Sequence, residues 1–224
     1  MVSTLRASVI VDYQNVHLTG HGLFDSTRYL PRHETLVDPL LFAQQLIRRR
    51  NELQRPGMAE AVLRQVLVFR GLPSPEHDPE AYDRSQAQRA QWERDKRVHV
   101  TLRPLKYEYE KAADVRPASD AGGNKIVTAK REKGVDVLCA LATVREAQDS
   151  ATDLVILASS DSDLAPAIDE VQRLGCAKIE TFCWYDAVRR IGYQLHPTDR
   201  GHRVWNTRLD EQAFRASWDV TDYR

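Results

Sequence analysis

The 224-residue chain is 42% hydrophobic and 29% charged, enough apolar material for a core and enough charge for an ordinary soluble protein. No run approaches the roughly 18 consecutive apolar residues of a membrane helix, and the short N-terminal run that ends on Asp12 is no secretory signal. The net charge of zero divides into +3 over residues 1–70, +2 over 71–134 and −5 over 135–224, so it does not exclude a polyanion ligand. Cys139, Cys176 and Cys183 form neither a CxxC pair nor an even framework, which points to a reducing cytoplasm and to cysteines used for packing.

Ala7–Val11 is short, apolar and partly β-branched, and predicts a buried strand ending at Asp12. Residues 17–37, with Gly20, Gly22 and Pro31, read as a loop, and His17 and His21 as exposed residues within it. Asp38-Pro39 predicts a helix start, and Leu40, Ala43, Leu46, Ile47 and Leu53 mark its apolar face up to Pro56-Gly57. Arg48-Arg49-Arg50, at the end of that helix, read as solvated or facing the helix dipole. Val62–Phe69 predicts a second strand, a very polar helix follows from about Glu80 to Lys96, and Val98–Leu102 alternates as a third strand. The composition of residues 112–124 predicts a loop. A helix from about Gly134 to Gln148 has Val135, Leu138, Cys139, Leu141, Ala142 and Arg145 on one face. Leu154–Ala158 predicts a fourth strand, Asp163–Leu174 a helix stopped by Gly175, and Lys178–Trp184 a fifth strand. Residues 1–190 therefore read as one α/β domain around a mostly parallel sheet of about five strands. Trp205, Phe214 and Trp218 suggest that 191–224 form a C-terminal helix or lid on the core, or a contact with a second copy or another protein.

In parallel sheets ligands bind beyond the carboxyl ends of the strands. Asp12 follows the first strand with Asn15 three residues on, Asp161 and Asp163 follow the fourth across Ser159-Ser160, and Asp136 opens the helix after Lys133-Gly134. Four carboxylates at one sheet end repel one another unless they protonate or share a cation. An all-oxygen donor set suits Mg²⁺ or Mn²⁺, and the chemistry that follows is attack of metal-activated water on a phosphodiester. Capping accounts for Asp163, and the helix dipole for Asp136, without any metal. A carboxylate ending a buried strand, as Asp12 does, costs free energy unless it is satisfied.

Three blocks, Val9–Val16, Glu132–Val137 and Leu157–Leu164, together resemble the signature blocks of NYN domains, PIN-like nucleases, and are similar to their bacterial LabA/DUF88 branch. The resemblance covers about residues 5–185 and implies a PIN-like three-layer α/β/α sandwich. It further implies that Asp12, Asp136, Asp161 and Asp163 bind the metal and are catalytic, with Asn15 steadying Asp12 or the scissile phosphate and Ser159 and Ser160 close to phosphate. One departure is Ala142-Thr143, where many relatives carry another aspartate.

The run from Lys125 to Lys133 sets Lys125, Lys130, Arg131 and Lys133 against Glu132 alone, directly before Asp136, and its cations would neutralise phosphates. Tyr107 and Tyr109 read as ordinary strand residues or as stacking surfaces for single-stranded bases. GxGxxG, Walker and GxSxG sequences are missing, and the histidines have no zinc spacing. The expectation is a metal-dependent ribonuclease acting on single-stranded or structured RNA. The rivals are a non-catalytic RNA- or protein-binding module on the same fold, and a phosphatase with an aspartate nucleophile, whose second acid Asp12-Tyr13-Gln14 lacks.

Overall fold

A computed structural model describes residues 4–25, 31–110, 125–199 and 201–223; the loop expected at 112–124 lies outside them. The first half runs β1 (Thr4–Asp12), α1 (Tyr13–Phe24), α2 (Pro39–Glu52), β2 (Glu60–Leu72), α3 (Pro79–Trp92) and β3 (Val98–Pro104). The second half holds β4 (Lys106–Tyr109), β5 (Val127–Arg131), α4 (Val135–Gln148), β6 (Leu154–Ala158) and α5 (Ala165–Leu174). β7 (Lys178–Asp186), β8 (Ile191–Gly192), β9 (Trp205–Leu209) and α6 (Glu211–Ala216) complete it.

Six strands are parallel in the order β3-β2-β1-β6-β7-β9, and β8 pairs antiparallel with the end of β7. β1 and β6 are central and buried on both faces, which is why they read as unbroken apolar runs. Successive side chains on them feed opposite cores. Ala7, Val9 and Val11 pack with α1, α2 and α6, whereas Ile10, Val155 and Leu157 pack with α4 and α5. The result is a three-layer α/β/α arrangement, with seven strands in the main sheet rather than about five. β4 and β5 form a separate antiparallel ribbon. No helix among the described residues is long and apolar enough to cross a membrane.

Five expectations change. Residues 13–24 form a helix, not a loop, because Asp12 caps it and Gly20 lets it approach Phe214 and Trp184 closely; His17 is consequently buried. Arg50 is not solvated: it is 3% exposed in its side chain and pairs with Glu180 of β7, Nη2 to Oε1 at 3.0 Å and Nε to Oε2 at 3.2 Å. Leu141, placed on one face of α4 with Cys139 and Ala142, does not share their environment: it is 61% exposed, while those two are buried. Beyond residue 190 the chain supplies strands as well as a helix, and β9 extends the main sheet. Cys139 and Cys183 are buried, but Cys176 is exposed and is not a packing residue.

Candidate active site

From β1 the chain builds β2 and β3 on one side and later β6, β7 and β9 on the other, so the strand order reverses between β1 and β6. A crevice opens at such a switch point, at the carboxyl ends of the strands. Val11 and Ala158 are register partners there, so Asp12 and Ser159 leave the sheet side by side. The Ser159 hydroxyl donates to Oδ2 of Asp12 at 3.0 Å, and the Asn15 backbone N–H donates to Oδ1 at 3.3 Å. Asp12 is thereby the N-cap of α1, held by two donors and only 7% exposed. Asn15 accepts from the backbone N–H and hydroxyl of Ser160 at 2.8 and 3.0 Å, tying the start of α1 to the loop after β6. The Asp161 N–H donates to the Ser159 oxygen at 3.1 Å, and Oδ1 of Asp161 accepts from the Asp163 N–H at 3.0 Å.

The crevice is a cavity of about 420 Å³ lined by Asp12, Asp136, Asp161, Glu132, Arg131 and Lys133, with Gly134 and Val135 at the start of α4. Gly134 holds φ +80°, a conformation that turns the chain from Lys133 into α4 without side-chain strain. Burial raises the Asp12 carboxyl above its usual range; its two hydrogen bonds oppose that rise, and the charges of Asp161 and Asp136 add to it. Burial likewise raises Glu132, with the Gly71 N–H and the Arg70 charge opposing and Asp12 and Asp136 adding. The thiol of Cys139, buried in α4, is pushed up by its desolvation and then by the fields of Asp12, Glu132, Asp136 and Asp161. These mutual fields describe one acidic cluster of four.

Glu132 is the member that the sequence reading omitted. It stood in the basic run as the lone acid, and only the fold shows it accepting the Gly71 N–H from the end of β2. Of the residues expected in the site, Asp12, Asp136, Asp161, Arg131 and Lys133 line the crevice. Asp163 is exposed and is not among the lining residues, and its N–H donates to Asp161. Ser159 is fully buried against Asp12, so it positions that carboxylate instead of meeting a phosphate. Lys130 pairs with Asp78 at 2.5 Å and Arg131 with Glu108 at 2.7 Å, on the β4–β5 ribbon. Tyr107 and Tyr109 pack with His77 on that ribbon, at ring separations of 4.8 and 5.6 Å.

Among the described residues no three acids already close on one point as a complete cage for a cation. Mg²⁺ does not need one, because it keeps several waters and binds through one or two carboxylates plus substrate phosphate. An all-oxygen set of four acids around an open crevice fits that habit. A larger cavity, about 1020 Å³, opens at the amino ends of β7 and β9 and contains none of the expected site residues.

No protein-family model matches the chain, and no curated protein matches it. A crystal structure of a protein of unknown function from Vibrio parahaemolyticus is similar to it at 20% identity and a TM-score of 0.43, covering 81% of this chain and 83% of that one.

Proposed function

We propose that the protein is a metal-dependent ribonuclease, as the resemblance to NYN domains implies, and that the crevice between β1 and β6 is its catalytic site. The observation that carries this reading is the gathering of Asp12, Asp136, Asp161 and Glu132 from separate segments around one cavity rimmed by Arg131 and Lys133. Burial, and after it the fields of the neighbouring acids, raise the Asp12 and Glu132 carboxyls, a cost that a cation or a shared proton relieves. One or two of these acids, with waters and substrate phosphate, would hold Mg²⁺ or Mn²⁺, which when bound lowers the pKa of a coordinated water and offsets charge on the phosphate. Arg131 and Lys133 draw the phosphate backbone to the rim. Ser159 and the Asn15 N–H fix the direction of Asp12, and Asn15 with Ser160 holds the two loops together. The unpaired cysteines fit a cytoplasmic setting, where RNA is met.

Asp12→Asn and Asp161→Asn keep the shape of the acids and remove their charge. Each should lower Mn²⁺-dependent RNA cleavage by roughly 100-fold or more while circular dichroism stays unchanged. Full cleavage by both variants would overturn the reading. A non-catalytic RNA-binding module is the second reading, favoured by the lack of a closed three-acid cage among the described residues. Calorimetry separates the two, since a binding module gives no heat with millimolar Mn²⁺.

A further inference from the structure

Glu132 is a wall with two sides. One faces the acidic crevice; the other faces a second cavity of about 330 Å³, built from α1, the turn at Arg32–Glu34, the end of β2 and α3. The charge reverses across that wall. Arg32, Arg70 and Arg84 line the second cavity, Glu132 is its one carboxylate, and Leu18, Pro73 and Leu105 supply apolar lining.

Three arginines thus face one lining carboxylate, so the cavity keeps a cationic excess. The Arg70 guanidinium lies 4.7 Å from the Tyr13 ring centroid and 5.7 Å from that of Trp92, and it donates to Oε1 of Gln88 at 2.6 Å. It is thus held in place by π-faces and a neutral amide. Among the described residues neither Arg70 nor Arg32 has a carboxylate in an ion pair, though the Arg70 charge acts on Glu132; Arg84 pairs with Glu80 at 3.5 Å, whose side chain is 87% exposed, and its charge acts on Asp78. Glu132 is already engaged by the Gly71 N–H. A rigid, weakly hydrated guanidinium in a concave, part-apolar site suits an oxyanion with paired oxygens.

We propose that this second cavity is a phosphate subsite, in which Arg32, Arg70 and Arg84 hold a phosphoryl group of the same RNA strand whose backbone enters the acidic crevice. The proposal rests on the nuclease reading of that crevice. The group is either a 5′-terminal monophosphate or an internal phosphodiester. In both cases the arrangement gives the strand a polarity, with one phosphate at the acids and another across Glu132 at the arginines.

The test uses 3′-labelled short single-stranded RNA, carrying either a 5′-phosphate or a 5′-hydroxyl, in fluorescence anisotropy with EDTA present. Arg32 and Arg84 are exposed, so the Arg32→Gln/Arg84→Gln double variant spares the buried stacking around Arg70. The expected result is about tenfold weaker binding and a salt slope reduced by roughly 1.4. Weakening confined to the 5′-phosphorylated RNA identifies a terminal phosphate; equal weakening of both identifies an internal one. Unchanged affinity and salt slope overturn the subsite, as does a wild-type chain that binds neither RNA. Cleavage of the same RNA with Mn²⁺ is read separately. Arginine-dependent binding without cleavage by the wild type refutes the nuclease and leaves an anion site standing; cleavage with arginine-independent binding refutes only the subsite.

Discussion

At the scale of single residues, His17 shows how burial changes a side chain that its neighbours in sequence make look exposed. Desolvation pushes its pKa down to about 4, with the Arg32 carbonyl, 3.0 Å from Nε2, opposing and the charges of Arg70, His21 and Arg32 adding. An unfolded imidazole titrates near 6.5. Between those values the unfolded chain takes up a proton that the folded chain refuses, so the stability linked to His17 is complete above about pH 6.5 and falls as pH drops toward 4. A shift of that size corresponds to on the order of 3 kcal/mol. Urea midpoints of the wild type and His17→Gln at pH 7 and pH 5 should show the variant losing less on acidification; parallel losses would contradict this. The same scale explains which site residues were legible. Asp12 was, because a carboxylate at the end of an apolar strand has few structural excuses. Asp163 was less so: two residues after Asp161, its N–H is capped by the Asp161 carboxylate while the residue is exposed, and spacing alone does not distinguish the two acids. Glu132 was hidden by its neighbours, since in a run of cations one acid reads as a counter-charge.

At the scale of elements, five strands of the main sheet announced themselves and α1 did not. β1, β2, β3, β6 and β7 are apolar or alternating runs whose period matches the pleat. α1 carries Gly20 and Gly22, which argue against a helix on propensity, and only packing overrides them. The two glycines serve differently. A Cβ on Gly20 would lie 2.5 and 2.7 Å from ring carbons of Phe214 and 3.0 Å from Nε1 of Trp184, whereas a Cβ on Gly22 would meet nothing within 4 Å. Gly20 therefore sets the distance of α1 from β7 and α6, and with it the place where Asp12 and Asn15 begin the helix. Gly20→Ala should cost about 1–3 kcal/mol through overpacking. Gly22→Ala should add up to about 1 kcal/mol of helix propensity. Thermal melts of the pair, two residues apart, are expected to move in opposite directions; a stabilised Gly20→Ala would contradict the close approach.

At the scale of the whole molecule, the question is whether the segment after residue 190 is an appendage or part of the fold. β9 pairs with β7 over Glu180–Trp184, so without it the edge of β7 is unpaired. Phe214 of α6 is fully buried and its ring lies 5.2 Å from Trp184 and 5.6 Å from Phe24. Arg215 pairs at 3.0 Å with Asp25, the buried residue that ends α1, and the Trp92 indole donates at 2.7 Å to Asp219. The end of the chain thus braces α1, α3 and β7 together. Composition concealed this because β9 has only Thr207 and Leu209 buried, too few for an apolar run. A chain ending after Val204 loses β9 and Phe214, and it also leaves Asp25 buried without its cation, a loss of about 3 kcal/mol or more for each large buried group. That exceeds what a domain with a stability of roughly 5–15 kcal/mol tolerates comfortably. The expected outcome is no cooperative unfolding transition for the chain ending after Val204, and a transition close to that of the full chain when it ends after Val220. A cooperative, wild-type-like melt from the shorter chain would show instead that the first 204 residues hold the carboxyl end of the sheet without the brace.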